Sequence, residues 1–385
     1  MNASCATRSR GRKATRTDIR ETVMRPTTRT ASRCLALAAT LLTTCPALAA
    51  DLAALPAVNA PIGESSISGL SSGAFMAVQF GTAWSSIVKG VGVVSGGPFE
   101  CAQDSFVGTG PCMTGPPPPL HFFTETADEK AAHGEIDLTR NLARQRIYLF
   151  HGTKDTTVVR AVTDETAAFY EHYLGAAAGS QLLYEHTLAA GHAFVVPATD
   201  FTAGLDDCAA SEPPFIDRCG DYDQAGIILR HIYGALAPPA KPDALAGTVK
   251  SFDQSKYAAP DAPPDLSLGN EGFVFVPKGC EDTAGPPCRV HIVLHGCLQN
   301  SGLSGVGRAV VDKAGFNAWA DTNRIVVLYP QTTPIASNPL ACWDWWGYLS
   351  QDGGYFTKSG RQIHAIKAML DDLTAGSQQV PPAPH

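Results

Sequence analysis

Three side chains in this sequence have the types and the order needed for acyl transfer through a serine. Ser71 lies in Gly69-Leu70-Ser71-Ser72-Gly73, Asp155 ends the run Ile147 to Asp155 (IYLFHGTKD), and His192 lies in Ala190-Gly191-His192-Ala193. A serine hydroxyl attacks a carbonyl when a base takes its proton, and a histidine does this when an acid holds its other ring nitrogen. The glycines flanking Ser71 suit a tight strand–turn–helix that holds the hydroxyl out at a sheet edge. A Gly/Ser string alone is a weak signal, and a loop Asp commonly caps a helix or turn. The order Ser, Asp, His, each after a predicted strand, favours the chemical assignment over both. His151, His186 and His295 compete for the role of base. His186 falls within a predicted strand and reads as packing, whereas His151 and His295 sit in loops beside the site.

An oxyanion would also need donors. The residue after the nucleophile supplies one backbone N–H, here Ser72. Val290 to Cys297 (VHIVLHGC) reads as a strand and loop in which Gly296 lets the backbone turn and the Cys297 N–H becomes a second donor. Losing one such donor typically costs on the order of 3 kcal/mol. Cys297 as a nucleophile is the poorer reading, since Ser71 already fills that role.

These residues need a core and an address. The chain of 385 residues is 44% hydrophobic and 17% charged, with 36 Gly and 28 Pro, which describes a loop-rich globular protein. Met24 to Arg33 is basic, Cys34 to Thr44 is a short apolar run, and Ala47-Leu48-Ala49 resembles a cleavage site. Residues 1–50 therefore read as an N-terminal extension and secretory signal peptide, with translation starting at Met24 and the mature chain at Ala50 or Asp51. The apolar run is too short to span a membrane. A basic tail on a cytosolic protein, or lipidation of Cys45, are the weaker readings. With nine Lys/Arg and two acids set aside, residues 51–385 hold 20 basic and 34 acidic side chains, net −14. That charge argues against nucleic acid or an anionic membrane as partner and favours an uncharged substrate.

Eight cysteines remain after residue 50. Cys101 and Cys112, Cys208 and Cys219, and Cys280 and Cys288 are short-range neighbours in loop sequence; Cys297 and Cys342 are left. An even number in an exported chain predicts disulfides, with Cys297 pairing most naturally with Cys342, although sequence alone does not choose a connectivity. Without a CxxC pair or a His cluster, no metal and no cofactor is expected.

Two blocks of α/β signal, about 51–234 and 272–376, flank a Pro/Ala-rich connector at 237–265 whose prolines exclude helix or central strand. In the first block, strands are predicted over 64–68, 88–95, 147–150 and 181–188, and helices over 74–82, 164–174 and 222–233. In the second, strands are predicted over 272–276, 290–294 and 325–330, and helices over 307–322 and 361–374. The HGC strand normally precedes the serine strand in an α/β-hydrolase, yet here it follows by more than two hundred residues. The expected fold is a circularly permuted α/β-hydrolase: one catalytic domain over 51–376, a central mostly parallel sheet flanked by helices, and a tail at 377–385. A split into two domains at the connector is the competing layout, but neither block holds all the chemical parts.

The combination GLSSGAF, HGTKDTTV, GHAF, LHGCLQ and CWDWWGY resembles the circularly permuted, single-domain polyhydroxybutyrate depolymerases over about 62–373. The resemblance implies Ser71, Asp155 and His192 as triad, Ser72 and Cys297 as oxyanion donors, and a Trp loop lining a polymer crevice. The aromatic-rich segment Cys342 to Tyr348 follows a Pro/Asn-rich loop, so at least one ring is expected to be exposed near the cleft, with others in the core. Trp343, Trp345, Trp346 and Asn338 are the candidate substrate contacts. The implied protein is a secreted, extracellular or periplasmic monomer without the separate polymer-binding module of many relatives. It would hydrolyse poly(3-hydroxybutyrate) or related oligoesters. A feruloyl or acetyl-xylan esterase, and a non-catalytic polyester- or surface-binding protein on the same scaffold, remain alternatives.

Overall fold

The computed structural model describes residues 52–258, 266–349 and 354–377. The predicted signal peptide and most of the predicted tail lie outside the described residues. Strand β1 (Ser65–Leu70) runs into helix α1 (Ser72–Ala83) and returns as β2 (Val88–Val94). Then come α2 (Thr109–Thr114), α3 (Leu120–Ala132), β3 (Arg146–Phe150), α4 (Arg160–Leu174), α5 (Ala178–Gln181) and β4 (Leu182–Glu185). Three short strands, β5 (Phe194–Val196), β6 (Asp206–Asp207) and β7 (Ile216–Arg218), precede α6 (Gln224–Tyr233). The later part holds β8 (Thr248–Asp253), β9 (Glu271–Val276), β10 (Arg289–Leu294), α7 (Ala309–Lys313), α8 (Phe316–Asn323), β11 (Ile325–Tyr329) and α9 (Arg361–Thr374).

One sheet of eight strands has the order β4-β3-β2-β1-β10-β11-β9-β8. The six strands from β4 to β11 pair parallel, and β9 and β8 add antiparallel at one side. Central parallel strands bury both faces, which is why they read as continuous apolar runs. The period-two alternation assigns each side chain to a face. Ile147, Leu149, Val290, Ile292, Leu294, Val326 and Leu328 join a core with Phe75 and Phe80 of α1 and Ile363, Ile366 and Leu370 of α9. Tyr148, Phe150, Val293, Ile325, Val327 and Tyr329 join the opposite core with Ile228 and Leu229 of α6 and Phe316 and Trp319 of α8.

The structure departs from the sequence expectations at several places. The predicted helix over 307–322 is two, because Gly315 sits at φ 89°, outside helical backbone. The predicted strand 181–188 stops at Glu185, whose carboxylate accepts the Thr187 and Leu188 N–H groups at 2.6 and 3.1 Å and turns the chain. His186 therefore lies beyond the strand. The connector contains the edge strand β8, whose six residues fall in a stretch between its prolines. Neither α3 nor the small sheet β5-β7-β6 was anticipated.

That small sheet carries an acid pair with one member buried. Asp206 and Asp217 are register partners on β6 and β7, and Asp217 is fully buried. Burial first, then Asp206, pushes the Asp217 carboxyl up to about 8. An acid whose folded pKa is raised stabilises fully below its unfolded pKa and loses that contribution as pH climbs through the folded value. Asp217→Asn removes the titration, so its advantage in Tm over the wild type is expected to be at least ~3 °C larger at pH 8 than at pH 5. Thermal melts at both pH values check this; an unchanged gap would remove the buried acid from the stability profile.

Candidate active site

The serine turn is built by backbone contact. Ser71 has φ 55° and ψ −123°, a left-handed conformation that costs a non-glycine residue about 1–3 kcal/mol and marks sites where the surrounding fold imposes it. The Ser71 N–H donates to Val94 O at 2.9 Å, and Ser71 O accepts from the Ala74 and Phe75 N–H groups, which starts α1. A methyl group at Gly69 would strike the Gly73 backbone, and one at Gly73 would strike the carbonyls of Leu294 and His295. The GxSxG glycines thus let β1, α1 and the end of β10 meet at one point.

Asp155 and His192 come from the loops after β3 and β4. His192 Nδ1 lies 2.8 Å from Asp155 Oδ2, with both residues buried. The other carboxylate oxygen accepts the Thr157 and Val158 N–H groups at 2.8 and 3.1 Å. Burial pushes the Asp155 carboxyl up, but the His192 bond and charge and the other donors outweigh it and hold the carboxyl below its ordinary value. Backbone bonds lace the two loops: Thr153 N–H to Leu188 O at 2.8 Å and Lys154 N–H to Ala190 O at 3.0 Å. From the other side, Gly191 N–H donates to Cys208 O, and His192 N–H donates to Ser211 Oγ at 2.9 Å. The Cys208–Cys219 disulfide anchors that support. Ser211 carried no sequence signal, because its partner is a backbone N–H nineteen residues away.

The loop after β10 packs beside the serine turn. A Cβ on Gly296 would lie 3.3 Å from Ser71 Cβ. Among the described residues, the N–H groups of Ser72 and Cys297 have no protein acceptor, so both are free for a ligand. Cys297 is bonded to Cys342, and the other pairs are Cys101–Cys112, Cys208–Cys219 and Cys280–Cys288. All eight cysteines of the described residues are thus paired as expected, as fits a protein matured in an oxidising compartment.

Three of the four candidate substrate contacts are buried. Trp343 is fully buried, and its backbone N–H donates to Ser72 Oγ at 3.3 Å. Trp345 is buried and stacks on Phe75 at 4.2 Å. Asn338 is buried as a brace: its Nδ2 donates to Cys342 O and its Oδ1 accepts the Cys342 N–H. Aromatic crowding in CWDWWGY therefore serves mainly to build the loop. Trp346 alone of these four is partly exposed. It lines a cavity of about 610 Å³ with Phe106, Val107, Ser337 and Tyr348. Phe106 and Val107 are 74% and 82% exposed, an apolar pair that the sequence reading passed over. Their signal was placement at the tip of the Cys101–Cys112 loop, where apolar side chains have no core to join. A larger cavity of about 750 Å³ opens between Phe201, Leu245 and Trp319, and none of Ser71, Asp155 and His192 lines it.

A mostly parallel sheet with a serine turn after a central strand, and an Asp–His pair in the loops after two neighbouring strands, defines the α/β-hydrolase class. No family model matches the chain. It is 40% identical over 334 residues to the poly(3-hydroxybutyrate) depolymerase of Delftia acidovorans, covering 86% of this chain but 64% of that protein. It is 36% identical over 340 residues to the polyhydroxybutyrate depolymerase of Talaromyces funiculosus, covering 84% of this chain and 94% of that one. The crystal structure of a PHB depolymerase from Penicillium funiculosum superposes with a TM-score of 0.75 at 34% identity, covering 84% of this chain and all of that one. A serine-to-alanine PHB depolymerase complexed with an R3HB trimer gives 0.76, with the same identity and coverage. The chain belongs to the polyhydroxybutyrate depolymerase family, whose members are serine-type carboxylic ester hydrolases.

Proposed function

We propose that this protein is a secreted serine esterase that hydrolyses poly(3-hydroxybutyrate) or related hydroxyalkanoate oligoesters through an acyl-enzyme. The reading is carried by the 2.8 Å contact between His192 Nδ1 and Asp155 Oδ2 at the edge of the sheet where the Ser71 turn ends. Asp155 accepts Nδ1–H and so leaves Nε2 as the base. His192 takes the Ser71 proton as Oγ attacks the ester carbonyl, and the Ser72 and Cys297 N–H groups receive the developing oxyanion. His192 then returns the proton to the leaving hydroxyl of the shortened polymer. Water, deprotonated by the same histidine, attacks the acyl-enzyme; collapse releases the hydroxyacid and restores Ser71.

The substrate assignment draws on the family and on the relative whose structure holds an R3HB trimer. The exposed apolar group of Phe106, Val107 and Trp346 supplies surface that an uncharged polyester can cover. Clearing of a polyhydroxybutyrate suspension by the purified protein, with 3-hydroxybutyrate or its short oligomers as products, tests the reading. Release of ferulate or acetate from carbohydrate esters without attack on the polyester would replace it.

Trp346→Ala is expected to weaken action on polymer about tenfold while leaving p-nitrophenyl butyrate hydrolysis within twofold. A soluble ester needs only the triad and its donors, whereas one aromatic contact with a polymer is worth roughly 1–3 kcal/mol. Parallel rate measurements on the two substrates check this. Equal losses with a lower Tm would make Trp346 a packing residue.

In this proposal residues 51–376 form one catalytic domain that acts as a monomer, exported by way of residues 1–50, and the chain order is a circular permutation. Support for the permutation comes from the sheet. Counted from β8 and closed through the chain ends, the strands cross it in sequence order except for an exchange of β10 and β11. Val58 N–H donates to Leu373 O at 2.7 Å, so the first segment meets the end of α9.

A further inference from the structure

Two buried His-Gly pairs end parallel strands near the serine turn: His151-Gly152 after β3 and His295-Gly296 after β10. His151 Nε2 lies 3.0 Å from Val158 O and ties together the loop that carries Asp155. His295 has both ring nitrogens engaged. Nε2 lies 3.1 Å from the Thr332 backbone nitrogen, and Nδ1 lies 2.7 Å from Gly296 O. A backbone N–H can only donate, so Nε2 is the acceptor and the ring proton sits on Nδ1, donated to Gly296 O. Thr332 Oγ1, also 3.2 Å from Nε2, gives its own proton to Ala341 O at 2.6 Å and does not compete. Burial holds the His295 pKa down at about 4, in keeping with an uncharged ring.

The consequence follows from peptide geometry. In a planar trans peptide the carbonyl and the next N–H point in opposite directions. Holding Gly296 O against the His295 ring therefore sets where the Cys297 N–H points. The preceding peptide is fixed too, since Gly296 N–H donates to Gln299 Oε1 at 2.6 Å. We infer that His295 is a positioning residue for the oxyanion hole: its neutral, Nδ1-protonated ring turns the Gly296–Cys297 peptide so that Cys297 N–H faces the reacting carbonyl. His295 exchanges no proton with substrate. The inference rests on the proposed esterase reading, and on Cys297 as a donor within it.

The test is the kcat and KM of p-nitrophenyl butyrate hydrolysis for wild type, His295→Ala, His295→Asn and His295→Gln, with folded protein quantified by circular dichroism. His295→Ala is expected to lower kcat about 10- to 100-fold, short of or equal to the loss of a whole donor, with KM within about threefold. Asn carries its amide N–H₂ at the position of Nδ1 and is expected to restore most of kcat. Gln reaches instead to the position of Nε2 and is expected to restore little. A folded His295→Ala enzyme within threefold of wild-type kcat would overturn the inference. Equal recovery by Asn and Gln, or losses that follow the folded fraction alone, would do the same. If His295→Ala does not fold, the Asn and Gln pair decides by the same criterion. A wild-type protein that hydrolyses no ester overturns the esterase reading itself, whereas an active wild type with indifferent His295 variants removes only the positioning role.

Discussion

Replacing Ser71 with Ala is expected to lower turnover of p-nitrophenyl butyrate on the order of 10⁶-fold and to leave the fold intact. The size follows from the triad acting as a unit: without the hydroxyl, the base has no nucleophile to activate, and only binding and the oxyanion donors contribute. The fold survives because the turn is held by backbone. Ser71 N–H still reaches Val94 O, its carbonyl still accepts from Ala74 and Phe75, and Gly69 and Gly73 keep the close approach. Rate measurements on the purified variant, with its Tm alongside, check both halves. Turnover above a few per cent of wild type would remove Ser71 from the mechanism.

Asp155→Asn is the second large effect, expected to reduce kcat roughly 10³- to 10⁴-fold. The argument is about which atom faces His192. Thr157 and Val158 donate to one carboxylate oxygen, and donors must meet an acceptor, so an Asn here keeps its carbonyl toward them. Its amide N–H₂ then faces Nδ1, which must become an acceptor. The ring proton moves to Nε2, where the base needs a lone pair. Because the backbone bonds at Thr157 and Val158 survive, Tm is expected to change little compared with Asp155→Ala. A kcat within tenfold of wild type would show that Asp155 does not set the tautomer of His192.

Both effects depend on features with different origins. The α/β class, the places of β1, β2, β3, β10, β11, α1 and α9, and the closeness in the chain of three cysteine pairs were legible in the sequence. Each follows from local chemistry: β-branched runs buried on both faces, glycines where backbones cross, and cysteines close in the chain. The expected order of Ser71, Asp155 and His192 was readable for the same reason, since each residue lies in the turn or loop that follows a strand.

Other features are tertiary. The Pro/Ala-rich connector gave no strand signal, and β8 exists only because β9 offers an open edge. Trp343, Trp345 and Asn338 stood as candidate substrate contacts because the aromatic segment follows a Pro/Asn-rich loop. Phe75, Ser72, Cys342 and Tyr348, brought in from α1 and across the Trp loop, turn them into scaffold. Conversely, Phe106 and Val107 are ordinary apolar residues in sequence and become exposed because their loop projects past the core. The sequence by itself determined which residue types stand at the ends of the strands, because covalent order and side-chain period set that. Which of them touch, which nitrogen of a histidine holds the proton, and which tryptophan meets solvent were decided by contacts between segments far apart in the chain, and no local pattern encodes those.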